Sequence, residues 1–295
     1  MTNFKESWTK SSSLFFSTTP VLIGLLFSIL TFGLSKLQNF SMDYFFLALT
    51  GLGLILIGIP HGAVDHLSNK NNHSLKSDLI KMFLMGLTWL IHPGLGLSVF
   101  IVLSAWHFGQ ADSTFLNSDS KYLNFYLGLA TLGSLLLSQP NELISYLNMF
   151  GLKKLTYFNL TYLQYLALGL RLSLILFFFK INKNNYIALF LLITCHQILS
   201  YLPLLIAFMI YFLSIHSLNA WLRLIHKTKF THLRLYRKTL PQTIGALILM
   251  FIIIGLKLSF NQTDHFTDQA LVSFFIFVSI ITAPHIFNVN QLYKN

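Results

Sequence analysis

Apolar segments of bilayer-spanning length recur from one end of this chain to the other, and that recurrence limits what it can fold into. A spanning helix needs roughly 20 mostly apolar residues. Segments of this kind lie near 19–37, 43–61, 79–92, 94–110, 122–138, 159–179, 185–200, 202–222, 240–258 and 268–288. The third and fourth form one long run, divided at His92-Pro93-Gly94 because Pro and Gly break helices. The seventh and eighth are divided at Tyr201-Leu202-Pro203 for the same reason. Residues 141–151 read as a short interfacial helix. Only 10% of the 295 residues are charged, against about a quarter in soluble chains, and the mean hydropathy is +0.64. Water is not the main solvent here. No polar stretch is long enough to form a second domain, so residues 1–295 are expected to form one all-α, polytopic transmembrane bundle of about eight to ten helices.

The basic residues orient this layout. With ten spans and both termini cytoplasmic, the inner segments hold fifteen Lys and Arg, from Lys5 and Lys10 through the run Arg223 to Lys238 and on to Lys294. The outer segments hold four, Lys36, Lys153, Lys154 and Lys257, and Arg171 falls within a span. Such an excess is the positive-inside pattern of a multi-pass protein of the cell (inner) membrane. The net charge of +11 then marks contact with the lipid bilayer rather than nucleic acid. The stretch before Pro20 shows no small-residue cleavage site, and the apolar run after it reads as a retained first span. The single cysteine, Cys195, excludes an intramolecular disulfide and any cysteine-based metal site.

Four histidines occupy places that a membrane chain normally avoids. They are His61 in Ile-Pro-His-Gly-Ala-Val-Asp-His, His107 in Ala-Trp-His-Phe-Gly-Gln-Ala-Asp, His216 in Leu-Ser-Ile-His-Ser, and His285 in Ala-Pro-His-Ile-Phe. They belong to the second, fourth, eighth and tenth spans, which all run from outside to inside, so all four rings fall in the cytoplasmic half. Ionisable rings at membrane depth are costly unless they face the bundle interior with a partner, and imidazole is the commonest transition-metal ligand. A metal site inside the bundle is therefore expected, with any one ring alone explicable as an interhelical hydrogen bond. Ligating histidines usually donate their second N–H to a carboxylate or carbonyl. Asp65, one turn after His61, is the favoured outer partner, with Asp112 weighed beside it. Trp106, Tyr211 and Phe212, adjacent to candidate ligands, are expected to line the pocket. His92 and His196 fall near the outer side, and His73, His226, His232 and His265 in loops. The 29 Phe residues either face lipid or line a tunnel for a long apolar substrate.

These segments resemble the family of bacteriorhodopsin-related proteins, the microbial membrane β-carotene 15,15′-dioxygenases. The resemblance rests on Gly58-Ile59-Pro60-His61-Gly62-Ala63-Val64-Asp65-His66, Ser104-Ala105-Trp106-His107-Phe108-Gly109-Gln110-Ala111-Asp112, Leu202-Pro203-Leu204 through Tyr211-Phe212 to His216-Ser217, and Ala283-Pro284-His285. It implies a non-haem Fe(II) held by histidines, with β-carotene and O2 as substrates, two retinals as products, and a functional link to a microbial rhodopsin. No catalytic side chain beyond the metal site is implied. His61, His107 and His216 fall on the family's ligand positions. One departure stands out: the family's second histidine, one turn after His216, is here Ala220. Either His285 completes the set, or three imidazoles leave an extra open position, or iron binding is weakened.

Other classes are open on the residues alone. A catalytically silent carotenoid- or retinal-binding protein, or an opsin-assembly partner of the same fold, is favoured by Ala220. A di-iron desaturase needs clustered His-boxes, and the chain has no His-x-x-His-His or His-x-x-x-His. A retinal-binding opsin needs a central Schiff-base lysine, and Lys257 is too shallow. A haem carrier with paired histidines ranks last.

Overall fold

A computed structural model describes residues 2–35, 51–63, 75–113, 120–152, 159–179, 186–260 and 266–292. Among these the chain forms eleven helices and no strand. They are α1 (Thr2–Leu34), α2 (Gly51–Ala63), α3 (Leu75–Ile91), α4 (Pro93–Ser113), α5 (Lys121–Leu136), α6 (Pro140–Met149), α7 (160–179), α8 (Tyr186–Leu199), α9 (204–228), α10 (His232–Phe260) and α11 (Phe266–Leu292). Each of the ten apolar segments has its helix, and α6 is the additional short one at 141–151. Four helices, Pro93–Asp112, Leu160–Phe177, Leu204–His226 and His232–Leu256, are long and apolar enough to cross a membrane. On α10 the exposed side chains include Leu240, Ile244, Ile248, Phe251 and Ile252. A water-soluble helix would turn those inward, so this face suits lipid.

Local chemistry sets the breaks. Pro93 opens α4, because a proline lacks the N–H that the first helical turn does not use; the amides of Leu95 and Gly96 turn back to the His92 carbonyl at 2.9 and 3.1 Å. Pro203 precedes α9 in the same way. The first amide of α9 is satisfied across the bundle, since Leu204 N–H donates to Glu142 Oε2 at 2.7 Å. That bond ties α6 to the start of α9. The helix α1 begins at Thr2, well before the apolar run, and passes through Pro20. His226 and His232 lie in helices rather than loops, at the end of α9 and the start of α10. His73 and His265 lie outside the described residues.

Two helices depart from α geometry at points that matter later. Leu54–Gly58 in α2 and Tyr211–Ser217 in α9 are π-helical. In α2 the cause is legible: Pro60 has no N–H for the carbonyl four residues earlier, so the turn before it widens, and Ile59 N–H bonds to Leu54 O instead. Such single turns often sit at functional sites because they re-aim the side chains that follow.

The largest core cluster joins α1, α4, α5, α7, α8 and α9 through Val21, Ala105, Leu127, Leu174, Leu192 and Ile215 among others. A second, around Met85, Trp89, Phe100 and Phe150, joins α3, α4, α6 and α11, and Trp89 Nε1–H donates to Ser279 Oγ at 2.7 Å. Helices α4 and α5 meet backbone to backbone. A Cβ on Gly109 would stand 1.9 Å from the Asn124 carbonyl oxygen, and one on Gly128 1.9 Å from that of Ala105. Small residues four apart allow this approach between membrane helices. Gly128→Ala is expected to cost about 1–3 kcal/mol, the range for overpacking, and to displace the α4 turn that carries His107. The thermal midpoint of the detergent-purified variant checks this; an unchanged midpoint contradicts the tight contact.

Candidate metal centre

His61 comes from α2, His107 from α4, His216 from α9 and His285 from α11, and all four are buried, with 3%, 4%, 1% and 5% of their surface exposed. Each offers one ring nitrogen, and these four nitrogens lie within 4.8 Å of one another. Ring centroids of His107 lie 4.8 Å from His216 and 4.6 Å from His285, and those of His61 lie 5.5 and 5.0 Å from the same two. The four helices thus bring their histidines to one point, as the sequence layout requires.

The ring orientations suit a cation. His61 Nδ1–H donates to the Gly58 carbonyl, so its Nε2 is the lone-pair nitrogen. That Nε2 is buried without a hydrogen-bond partner among the described residues. A buried nitrogen left so is costly unless something else takes its lone pair. His107 Nε2 and His216 Nε2 face each other at 3.1 Å. That is the spacing of adjacent ligands on one ion, about 3.0 Å for two bonds of roughly 2.1 Å. Behind His216, its Nδ1 stands 3.5 Å from Asp112 Oδ1, and Tyr211 O–H donates to Asp112 Oδ2. Asp112 is 1% exposed. A carboxylate that deep requires compensation, and the Tyr211 hydroxyl and the facing His216 imidazole supply part of it. The imidazole–carboxylate pair is the usual outer arrangement of a histidine metal site.

The structure redistributes the supporting roles. Asp112 is the carboxylate beside the site, while the favoured Asp65 lies outside the described residues. Tyr211 does not line the chamber but holds Asp112 from behind. Phe212 lines it and stacks on His216, 5.9 Å between centroids at 20°. Trp106 was expected in the pocket and is not there: it is half-buried against Phe125, centroids 6.0 Å apart. Successive helical residues point about 100° apart, so the neighbour of an inward histidine turns away. Phe108, at 4.2 Å from the His216 ring, and the Gly58 carbonyl were not foreseen; Pro60 was the only sequence signal for the latter. Ala220 is half-buried and is not a wall of the chamber, and the fourth ring is that of His285. His92 is exposed, and His196 is buried against Tyr211 and Ser134, away from the four.

A chamber adjoins the four rings, walled by Phe100, Phe108, Phe208, Phe212, Phe274 and Phe275 among others. Part of the aromatic excess therefore faces inward. The donor set is all imidazole, with no thiolate near, which suits Fe(II), Cu(II) or Zn(II).

The family model described as BCD: Beta-carotene 15,15'-dioxygenase matches residues 52–293. No curated protein and no solved structure gives a match. The matched span contains all four histidines and most of the chain, and the chain belongs to that family.

Proposed function

We propose that this member of the β-carotene 15,15′-dioxygenase family is an active oxygenase. It cleaves the central double bond of β-carotene with O2 to give two all-trans-retinal molecules. In this reading His61, His107, His216 and His285 hold a non-haem Fe(II), with His285 supplying the ring that Ala220 does not. The observation that carries the reading is the convergence of four buried imidazoles on one point beside an aromatic chamber. Held by these four imidazoles, Fe(II) would supply the redox chemistry that lets O2 react with the polyene. The reaction breaks the C15=C15′ and O–O bonds and places one oxygen atom on each aldehyde, so no proton is gained or lost.

The chain's own residues then have three tasks. Gly58 and Asp112 fix the tautomers of His61 and His216, so that the ring nitrogens facing the centre carry lone pairs. Tyr211 keeps Asp112 turned toward His216 and away from the chamber. The Phe walls exclude water and press the flat polyene against the rings. The reaction needs no acid or base, which fits a chamber without a carboxylate among its walls. Single-domain architecture, about ten spans, both termini cytoplasmic, residence in the cell (inner) membrane and supply of retinal to a microbial rhodopsin complete the proposal. A carotene dissolves in lipid, so it arrives laterally through the bundle wall.

Expression in a β-carotene-accumulating bacterium tests this. The expected outcome is loss of pigment and appearance of retinal, abolished by His61→Ala. Undiminished β-carotene beside normally accumulating protein would replace this reading with that of a silent carotenoid- or retinal-binding protein.

A further inference from the structure

The hairpin between α9 and α10 carries a concentration of charge that the metal chemistry does not use. It holds six basic residues, Arg223, Lys227, Lys229, Arg234, Arg237 and Lys238, and between Glu142 and Asp264 the sequence contains no Asp or Glu. The hairpin has a fixed shape. Lys229 ends α9 in the left-handed region at φ 54°, with its N–H on the Ile225 carbonyl at 2.8 Å. Trp221, Leu224 and Leu235 form a small buried core beneath the turn. Trp221 packs on Tyr236 with ring centroids 4.6 Å apart and donates its Nε1–H to His232 Nδ1 at 3.2 Å.

The cations outside this core stand in an unfavourable local field. Lys229, Arg234, Arg237 and Lys238 are all exposed, and none has a carboxylate partner among the described residues. Arg234 and Lys238 gather over the Phe230 ring instead, 4.6 and 5.3 Å from its centroid. Arg234, Arg237 and Lys238 are spaced three and four apart, so they share one face of α10, where like charges repel. Arg234 falls in the first turn, where the helix dipole disfavours a cation. That turn holds no acidic residue to offset it. An anion from outside the chain would relieve both conflicts.

The rest of the same face indicates which anion. Beyond Lys238 it continues at helical spacing through Leu240, Ile244, Ile248 and Phe251, all exposed. From Leu240 to Phe251 is about 16 Å at the rise of an α-helix, close to the roughly 15 Å that one leaflet contributes to a hydrocarbon core. Charge followed by an apolar stripe one leaflet deep is the order of a phospholipid, head then tail. An acidic protein segment would use the charges alone. We propose that this face binds an anionic phospholipid. Arg234, Arg237 and Lys238 hold its phosphate, and its acyl chains lie along Leu240, Ile244, Ile248 and Phe251. The inference rests on α10 crossing the membrane and is independent of the oxygenase reading. Helix α9 carries His216, and α10 packs on α2, which carries His61. A lipid bound at their hairpin therefore steadies this end of the bundle and raises its thermal midpoint.

Full-length protein in neutral detergent is titrated with dioleoylphosphatidylglycerol, with bound lipids counted by native mass spectrometry and the thermal midpoint followed in parallel. Dioleoylphosphatidylcholine supplies the same tails and a phosphate without net charge, whereas inorganic phosphate and polyglutamate supply charge without tails. Phosphatidylglycerol is expected to bind at least about tenfold more tightly than phosphatidylcholine and to raise the midpoint. The triple variant Arg234→Gln, Arg237→Gln, Lys238→Gln should weaken it on the order of 100-fold, about fivefold per charge, with phosphatidylcholine binding unchanged. Lys76→Gln with Lys121→Gln, which removes exposed charges elsewhere, should leave both lipids unaffected. Helical circular dichroism checks the fold, and if the triple variant fails to fold, Arg237→Gln alone should still show the fivefold loss. Equal binding of the two lipids, or undiminished phosphatidylglycerol binding by a folded variant, would overturn the site. Displacement of the lipid by equal concentrations of inorganic phosphate or polyglutamate would overturn the lipid assignment, in favour of a free phosphate or an acidic protein.

Discussion

His216→Ala is expected to lower retinal formation by about a thousandfold or more, the scale of losing several kcal/mol of metal chemistry at tenfold per 1.36 kcal/mol. His107→Ala should match it, because the two Nε2 atoms face each other at 3.1 Å and would share one ion. The loss should appear first as metal content. Protein purified from iron-supplemented cells is expected to carry close to one iron per chain, and each variant much less, with helical circular dichroism unchanged. The four helices approach through many apolar side chains besides these rings, so the fold should survive the truncation. Wild-type retinal output from a folded His216→Ala protein would remove that ring from the site. His285→Ala belongs in the same series: loss of iron makes it the fourth ligand, whereas full retention leaves three imidazoles sufficient.

Asp112→Asn is expected to weaken iron binding by about 10- to 100-fold, the range for outer partners of ligating histidines. The side chain is not itself a wall of the chamber and acts through the His216 ring it faces. An amide keeps the shape of the carboxylate but drops its charge, and its NH2 can donate to Nδ1, favouring the wrong tautomer. Tyr211→Phe removes the O–H that anchors the carboxylate and should give a smaller shift in the same direction. A merely structural role would lower the yield of protein without moving iron affinity. Titration of the apoprotein with Fe(II) separates these, and an Asp112→Asn affinity equal to wild type would leave the carboxylate without a part in the site.

Much of this was legible because a membrane chain has few ways to hide polarity. Ionisable groups are scarce in this sequence, so four histidines near the ends of apolar segments stood out. Pro93 and Pro203 placed the breaks before α4 and α9, since a proline has no N–H to donate to the preceding turn of a helix. Supporting residues were less legible. Asp65 and Asp112 both follow a ligand by about one turn, and chain distance alone favoured the nearer. Asp112 stands beside His216 because α4 continues through Ser113, while the π turn at Tyr211–Ser217 brings His216 and Tyr211 to the same carboxylate; Asp65 lies outside the described residues. Trp106 misled for the converse reason, as adjacency along a helix separates side chains in space.

The sequence by itself determined that this chain forms apolar helices, where they break, and which four side chains are too costly to leave facing lipid. Those are properties of single segments, fixed by solvation and by backbone chemistry. Only the tertiary structure decided that the four rings meet, that the fourth of them is His285 while Ala220 stands outside the chamber, and that Asp112 backs His216. Each of those depends on how helices distant in sequence rotate and approach, and the contacts that set it, such as Gly109 and Gly128 against opposing backbone, exist only once the bundle has packed.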